Sequence, residues 1–153
     1  MEQPTVGECI FCQISRRQSD AEDYVLYRGE TVFLSLNKYP YNVGHTMIVP
    51  YRHMVGIEEL NEDESAETFK VLRLSISATK AVLKPGGFNI GANIGKPAGA
   101  GIEHFHIHTV PRWLGDTNFM PILTDTKVLS DSLEKVWRDL SEEIKRQSEV
   151  GSP

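Results

Sequence analysis

The chain has 153 residues, enough for one ordinary domain and too few for two. Hydrophobic residues make up 40% and charged residues 24%, which supports a packed core and excludes a disordered chain. Sixteen Lys and Arg against twenty-one Asp and Glu give a net charge of −5, which argues against a protein that coats nucleic-acid polymers and leaves room for a small anionic ligand in a locally positive pocket.

Residues 1–8 read as a loose tail without a basic start. No apolar run of about 18 residues occurs anywhere, so neither a secretory signal nor a membrane span is expected, and a soluble cytoplasmic protein is. Cys9–Arg17 has apolar residues at 10, 11 and 14, the spacing of a short amphipathic turn or two. Tyr24–Arg28 and Thr31–Leu36 are rich in β-branched and aromatic residues, and Gly29-Glu30 between them predicts a hairpin. A loop is expected over Asn37–Gly44 from its Pro, Asn and Gly, then a third strand over Thr46–Pro50 ended by proline. Asn61 with Glu64 three positions on is a capping-box signal, and Glu62, Asp63 and Glu64 suit the positive end of a helix dipole. Phe69, Leu72, Ile76, Thr79 and Leu83 continue this helix until Lys84-Pro85-Gly86-Gly87 stops it. Phe88–Ile94 and His104–Val110 read as strands, the second closed by Pro111. A last helix over Ser130–Gln147 carries Leu133, Val136, Trp137, Leu140 and Ile144 in one stripe, for the core or for a subunit contact. Residues 149–153 read as a tail. Strands interrupted by helices without regular βαβ alternation predict an α+β fold on an antiparallel sheet, with one domain over 9–148.

The chemistry concentrates in three places. Cys9 and Cys12 stand at Cys-x-x-Cys spacing, too close in sequence for a crosslink to add much, which leaves metal ligation or redox chemistry. A thioredoxin-type pair follows a buried strand and none precedes Cys9, so metal is favoured if two more ligands exist. Three of the five histidines occupy positions 104, 106 and 108. On a strand, alternation puts these imidazoles on one face, about 6.5–7 Å apart at Cα, with Phe105 and Ile107 turned to the core. Rings so placed can exchange hydrogen bonds or bracket a phosphate, and imidazole titrates near neutrality, as a nucleophile or proton donor should. A His-x-His metal chelate is the weaker alternative, because Glu103 would face the other way. Finally, residues 86–101 hold six of the twelve glycines. They read either as a backbone cradle for an anion or as a flexible hairpin connection, and match neither a Walker loop nor a dinucleotide fingerprint.

Together these segments resemble the histidine triad family. His104-Phe-His-Ile-His-Thr-Val110 is similar to its His-φ-His-φ-His-φ-φ pattern, with threonine at one apolar place. Gly44-His-Thr-Met-Ile-Val-Pro-Tyr-Arg-His53 resembles its Gly-His-x-φ-φ-φ-Pro-x-x-His segment, and Cys9-Ile-Phe-Cys12 the opening of its zinc-containing members. The resemblance implies a five-stranded antiparallel sheet with one long helix and a C-terminal helix, and a homodimer that joins two sheets. It implies an enzyme that takes a nucleoside monophosphate from a nucleoside or dinucleoside polyphosphate through a nucleotidyl-histidine. His106 would be the nucleophile, His108 would contact the phosphate and bridging oxygen, and His45 would support them. Asn37 would contact ribose. Asn93 stands in place of a phosphate-binding glutamine, and Gly99 and Gly101 would offer backbone amides. Structural zinc would sit on Cys9, Cys12, His53 and His104. Pro111–Pro121 resembles bacterial members linked to diadenosine polyphosphate breakdown, phosphorylases among them. Trp113 and Phe119 there would stack on substrate or pack a lid, and Arg112 and Lys96 would meet outer phosphates. The alternatives are a purine nucleoside phosphoramidase and a non-catalytic AMP-binding protein.

Overall fold

A computed structural model of the chain describes residues 9–116 and 132–150. Its elements are α1 (Ile10–Arg16), a single turn α2 (Asp20–Asp23), β1 (Val25–Arg28), β2 (Val32–Leu36), β3 (Thr46–Pro50), α3 (Glu62–Leu83), β4 (Gly87–Gly91), β5 (Ile107–Arg112) and α4 (Leu133–Val150). Short 3₁₀ turns lie at Ile57–Glu59 and Lys96–Ala98. The strands form one antiparallel sheet in the order β1-β2-β3-β5-β4, the α+β arrangement expected. No helix among the described residues is long and apolar enough to cross a membrane.

Every residue of β2 and β3 is buried, because the sheet is covered on both faces. Val32, Leu34, Leu36 and Ile48 pack under α3 and α4 with Val71, Leu72, Ala78, Val136, Leu140 and Ile144. Phe33, Met47 and Val49 point the other way, to Phe11, Cys12 and Ile14 of α1. The α4 stripe is therefore intrachain core, and Trp137 Nε1–H adds a hydrogen bond to the Val25 carbonyl at 2.8 Å.

The capping box on α3 forms as read: Glu64 N–H donates to Asn61 Oδ1 at 2.8 Å, and Asn61 N–H to Glu64 Oε1 at 2.9 Å. Lys84 closes the helix in the left-handed region, φ 52°. The stripe is rotated from expectation, however. The buried face runs through Glu64, Thr68, Val71, Leu72, Ser75, Ala78 and Thr79, and Phe69 is 67% exposed. Small residues let the helix approach the sheet, and their hydroxyls are satisfied locally. Thr68 and Thr79 donate to the carbonyls four residues back, and Ser75 shares a hydrogen bond with Thr46. On the same helix, Glu67 accepts from the Glu30, Thr31 and Val32 amides and the Thr31 hydroxyl, which clamps the β1–β2 turn.

Three boundaries differ from the sequence reading. The strand expected over His104–Val110 begins at Ile107, runs through Pro111 and ends at Arg112. Pro50 opposite has no N–H to extend the ladder and its carbonyl is taken by the His104 ring, while Phe105 N–H turns to Met54 O at 2.7 Å. At the other end Thr46 of β3 already pairs with Thr109, so Pro111 sits beyond that ladder and costs it no bond. The strand expected over Phe88–Ile94 spans Gly87–Gly91. The last helix starts at Leu133 and reaches Val150, into the expected tail. Residues 1–8, 117–131 (Phe119 and the expected helix start among them) and 151–153 lie outside the described residues.

Candidate active site and metal centre

Register places the triad. His108 is the cross-strand partner of Met47, which faces α1, so His108 faces α1 too; Ile107 pairs with Ile48 and faces the helices. A cavity of about 430 Å³ opens on that face. Ile10, Phe11, Ile14 and Met47 form its apolar part, and His106 and His108 supply polar groups beside them. Asn37, Asn93, Gly99 and Gly101 border it, whereas Trp113, Arg112 and Lys96 are not among its lining residues.

His106 is buried, and its Nδ1 lies 2.7 Å from the His104 carbonyl. A carbonyl only accepts, so the proton is on Nδ1 and the neutral ring carries its lone pair on Nε2. Burial pushes the His106 pKa below its ordinary value against that hydrogen bond, which keeps the ring neutral. The second ring follows by the same logic. Tyr41 N–H donates to His45 Nδ1 at 3.1 Å, so His45, fully buried, has its proton on Nε2. That Nε2–H faces His108 Nδ1 at 2.8 Å, which leaves the His108 proton on Nε2. The His106 and His108 ring centroids are 4.6 Å apart, edge to face. Burial, then the neighbouring His106, lowers the His108 pKa to about 4. The site thus sets a bare nitrogen on His106 beside an N–H donor on His108.

His104 does not join them. Its Nε2–H donates to Pro50 O at 2.7 Å, which turns the Nδ1 lone pair toward the other side of the segment. There Cys9 Sγ lies at 3.3 Å, Cys12 Sγ at 3.7 Å and His53 Nδ1 at 3.2 Å, with Cys12 Sγ 3.5 Å from His53 Nδ1. All four ligand atoms fall within 4.8 Å of one another. One lone pair can share a proton with only one of three neighbours, so this convergence suits a cation better than hydrogen bonds. Metal–nitrogen bonds of about 2.0–2.1 Å and metal–sulfur bonds of about 2.3 Å give tetrahedral edges of about 3.3 Å between nitrogens and about 3.5 Å between nitrogen and sulfur. The four separations given above lie close to these edges. Burial beside Cys9 pushes the Cys12 thiol up to about 11, a cost that a coordinating cation removes by holding the thiolate. These four residues could therefore hold a tetrahedral metal with no open position.

The two halves share parts. Helix α1 gives Cys12 to the metal cluster and Ile10, Phe11 and Ile14 to the cavity, and the Phe11 ring touches both His104 (5.5 Å) and His106 (5.0 Å). Arg112 is engaged by both oxygens of Asp116 and by Asn89. The amides of Ala98, Gly99 and Ala100 bond within their own turn, to the Gly95 and Lys96 carbonyls. Asn93 instead reaches the Gly99 carbonyl at 3.4 Å. Sequence reasoning missed the α1 wall, Met47, and the pair Tyr39 and Tyr41 at the rim. The apolar spacing of α1 was visible, but it did not say which side would face a cavity.

The profile of the HIT domain matches residues 18–113. An AP-4-A phosphorylase of Mycobacterium tuberculosis is 45% identical over 130 residues, covering 84% of this chain and 67% of that protein. A hypothetical histidine triad nucleotide-binding protein of Sulfolobus tokodaii superposes with a TM-score of 0.75 at 33% identity, covering 92% of this chain and 94% of its own. A Zn-bound histidine triad family protein of Mycobacterium smegmatis gives 0.75 at 26% identity, covering 94% and 98%.

Proposed function

Since the chain belongs to the HIT domain family, we propose that it cleaves dinucleoside polyphosphates, with diadenosine tetraphosphate as the model substrate and orthophosphate as the acceptor. The observation that carries this reading is the His106 tautomer: Nδ1–H is tied to the His104 carbonyl, so Nε2 holds a lone pair at the cavity wall. The base enters the apolar part between Phe11, Ile14 and Met47, and Asn37 meets the ribose. His106 Nε2 attacks the α-phosphorus, a P–N bond forms and the bond to the bridging oxygen breaks. His108 Nε2–H donates to the departing oxygen, held in line by His45. The acceptor oxygen then displaces His106 and releases a nucleotide. Phosphate as acceptor is supported by the name of the mycobacterial relative; water at the same step makes a hydrolase.

The metal is zinc on Cys9, Cys12, His53 and His104, a reading supported by the donor set, by the tetrahedral spacing and by the Zn-bound relative. With four protein ligands it supplies structure alone. His104 then anchors the carbonyl that orients His106. A homodimer is supported by the place of β4 at the sheet edge, unpaired on its outer side among the described residues, and by exposed Phe69 and Ile90.

Product analysis tests the reading. Incubation with diadenosine tetraphosphate should give ADP and ATP only when phosphate is present. AMP and ATP without phosphate make the acceptor water, and cleavage of adenosine 5′-phosphoramidate alone overturns the substrate class.

A further inference from the structure

The rim of the cavity carries three residues to which the reading above gives no role. Tyr39 is 89% exposed and Tyr41 70% exposed, yet both line the cavity, and Lys38 is the one lysine or arginine among its lining residues. The loop that holds them is tied at several points. Tyr39 N–H donates to Asn37 Oδ1 at 2.8 Å, Tyr41 N–H to His45 Nδ1 at 3.1 Å, and His45 N–H to Asn42 O at 3.1 Å. Asn42 is fixed in turn on Pro111 O and Asp116, and Pro40 stiffens the chain between the two rings. The rings are therefore displayed by a fixed backbone. Tyr41 lies nearly parallel to His45, with centroids 5.3 Å apart at 16°, and His45 is the hydrogen-bond partner of His108. Tyr41 is thus linked to His108 through His45, and it lines the same cavity as His106 and His108.

We propose that Tyr39 and Tyr41 form a second nucleoside subsite that stacks the distal base of a dinucleoside polyphosphate, with Lys38 meeting the phosphates between the two nucleosides. The inference rests on the function proposed above and adds to it the recognition of the departing half. The occupant is argued from continuity and charge: aromatic faces bind any nucleobase, and a lysine beside them suits an anionic chain. Hydroxyl-bearing rings next to a lysine also fit a polar, charged ligand better than an apolar protein surface.

The test compares diadenosine tetraphosphate with adenosine 5′-tetraphosphate, which lacks only the distal nucleoside. The readout is the ratio of their kcat/KM values, in which damage common to both substrates cancels. Calorimetry with the methylene-bridged analogues reads the same ratio as affinities without turnover. The wild-type protein should favour the dinucleotide. Tyr39→Ala and Tyr41→Ala should each lower the preference on the order of tenfold, the usual worth of one base–aromatic stack, and Tyr39→Phe should retain it. An equal affinity for both analogues in the wild type, or a ratio unmoved in the double Tyr39→Ala, Tyr41→Ala variant, overturns the subsite. A change of sedimentation coefficient with an unmoved ratio assigns the rings to a second copy of the chain and overturns it too. Failure of the nucleotidyl-transfer reading looks different: no turnover of either substrate, while the analogue affinities still decide the subsite.

Discussion

Two buried histidines, His104 and His106, stand two residues apart in this chain, and they face opposite tasks. At the metal cluster, His104 gives its Nε2 proton to Pro50 O and presents Nδ1 to two thiols and His53, with every direction closed. At the cavity, His106 gives its Nδ1 proton to the His104 carbonyl and presents Nε2 to open space. The residue type, the burial and the direction of the pKa shift are alike in the two rings. What differs is which nitrogen a carbonyl has claimed. In the function proposed above, the one ring thereby suits a cation ligand and the other a nucleophile.

The contrast is broken most severely at the nucleophile. His106→Ala should reduce turnover by about four orders of magnitude or more while the metal content stays at its wild-type value. Elemental analysis alongside the kinetics checks both halves, and substantial residual activity removes His106 from its role. At the other cluster, His104→Ala or strong chelation should lower the melting temperature on the order of 10 °C, with loss of the bound metal. A melting curve indifferent to chelator would mean that the four residues hold no structural ion.

Acid separates the clusters from bulk histidine behaviour. Burial holds His106 and His108 below the ordinary 6.5, so kcat/KM should stay level as pH falls through 6.5 and decline only below it. Stability follows the same groups. Between 6.5 and about 4 the unfolded chain binds the His108 proton and the folded chain does not, so unfolding free energy falls as the solution is acidified across that window. Denaturant titrations at pH 7 and 5 read the slope, and an acid limb centred at 6.5 in the rate profile would contradict both statements.

The smallest expected effect lies next to the triad. Thr109 takes a place that the family pattern gives to an apolar residue, and its buried hydroxyl finds no partner among the described residues. Thr109→Val keeps the shape and removes the orphan, which should stabilise by about 1 kcal/mol and leave turnover within twofold. Calorimetry at fixed metal content measures it.

Much of the scaffold was legible. Alternation and turn residues locate β1 to β3, the capping box locates α3, spacing singles out Cys9, Cys12 and the three alternating histidines, and the family resemblance adds His53 and His104 as ligands. The misreadings have local causes. Phe69 shares the helical spacing of the apolar residues yet is exposed, because close packing of helix on sheet favours the small Ser75 and Ala78. The triad strand begins three residues later than its alternation predicts, because a proline on the partner strand ends the ladder in a way that the strand's own residues do not reveal. Arg112 bonds Asp116, four residues on, and Asn89, which the β4–β5 pairing alone brings beside it.

From the order of its residues alone, the chain determined which side chains have the chemistry: two thiols, five imidazoles, and the hairpin and helix signals that frame them. Only the tertiary structure decided what each imidazole does. A ring's free nitrogen is selected by the acceptor or donor opposite, and those groups, the Pro50 carbonyl, the His104 carbonyl and the Tyr41 amide, are backbone atoms that every sequence contains and only folding aims.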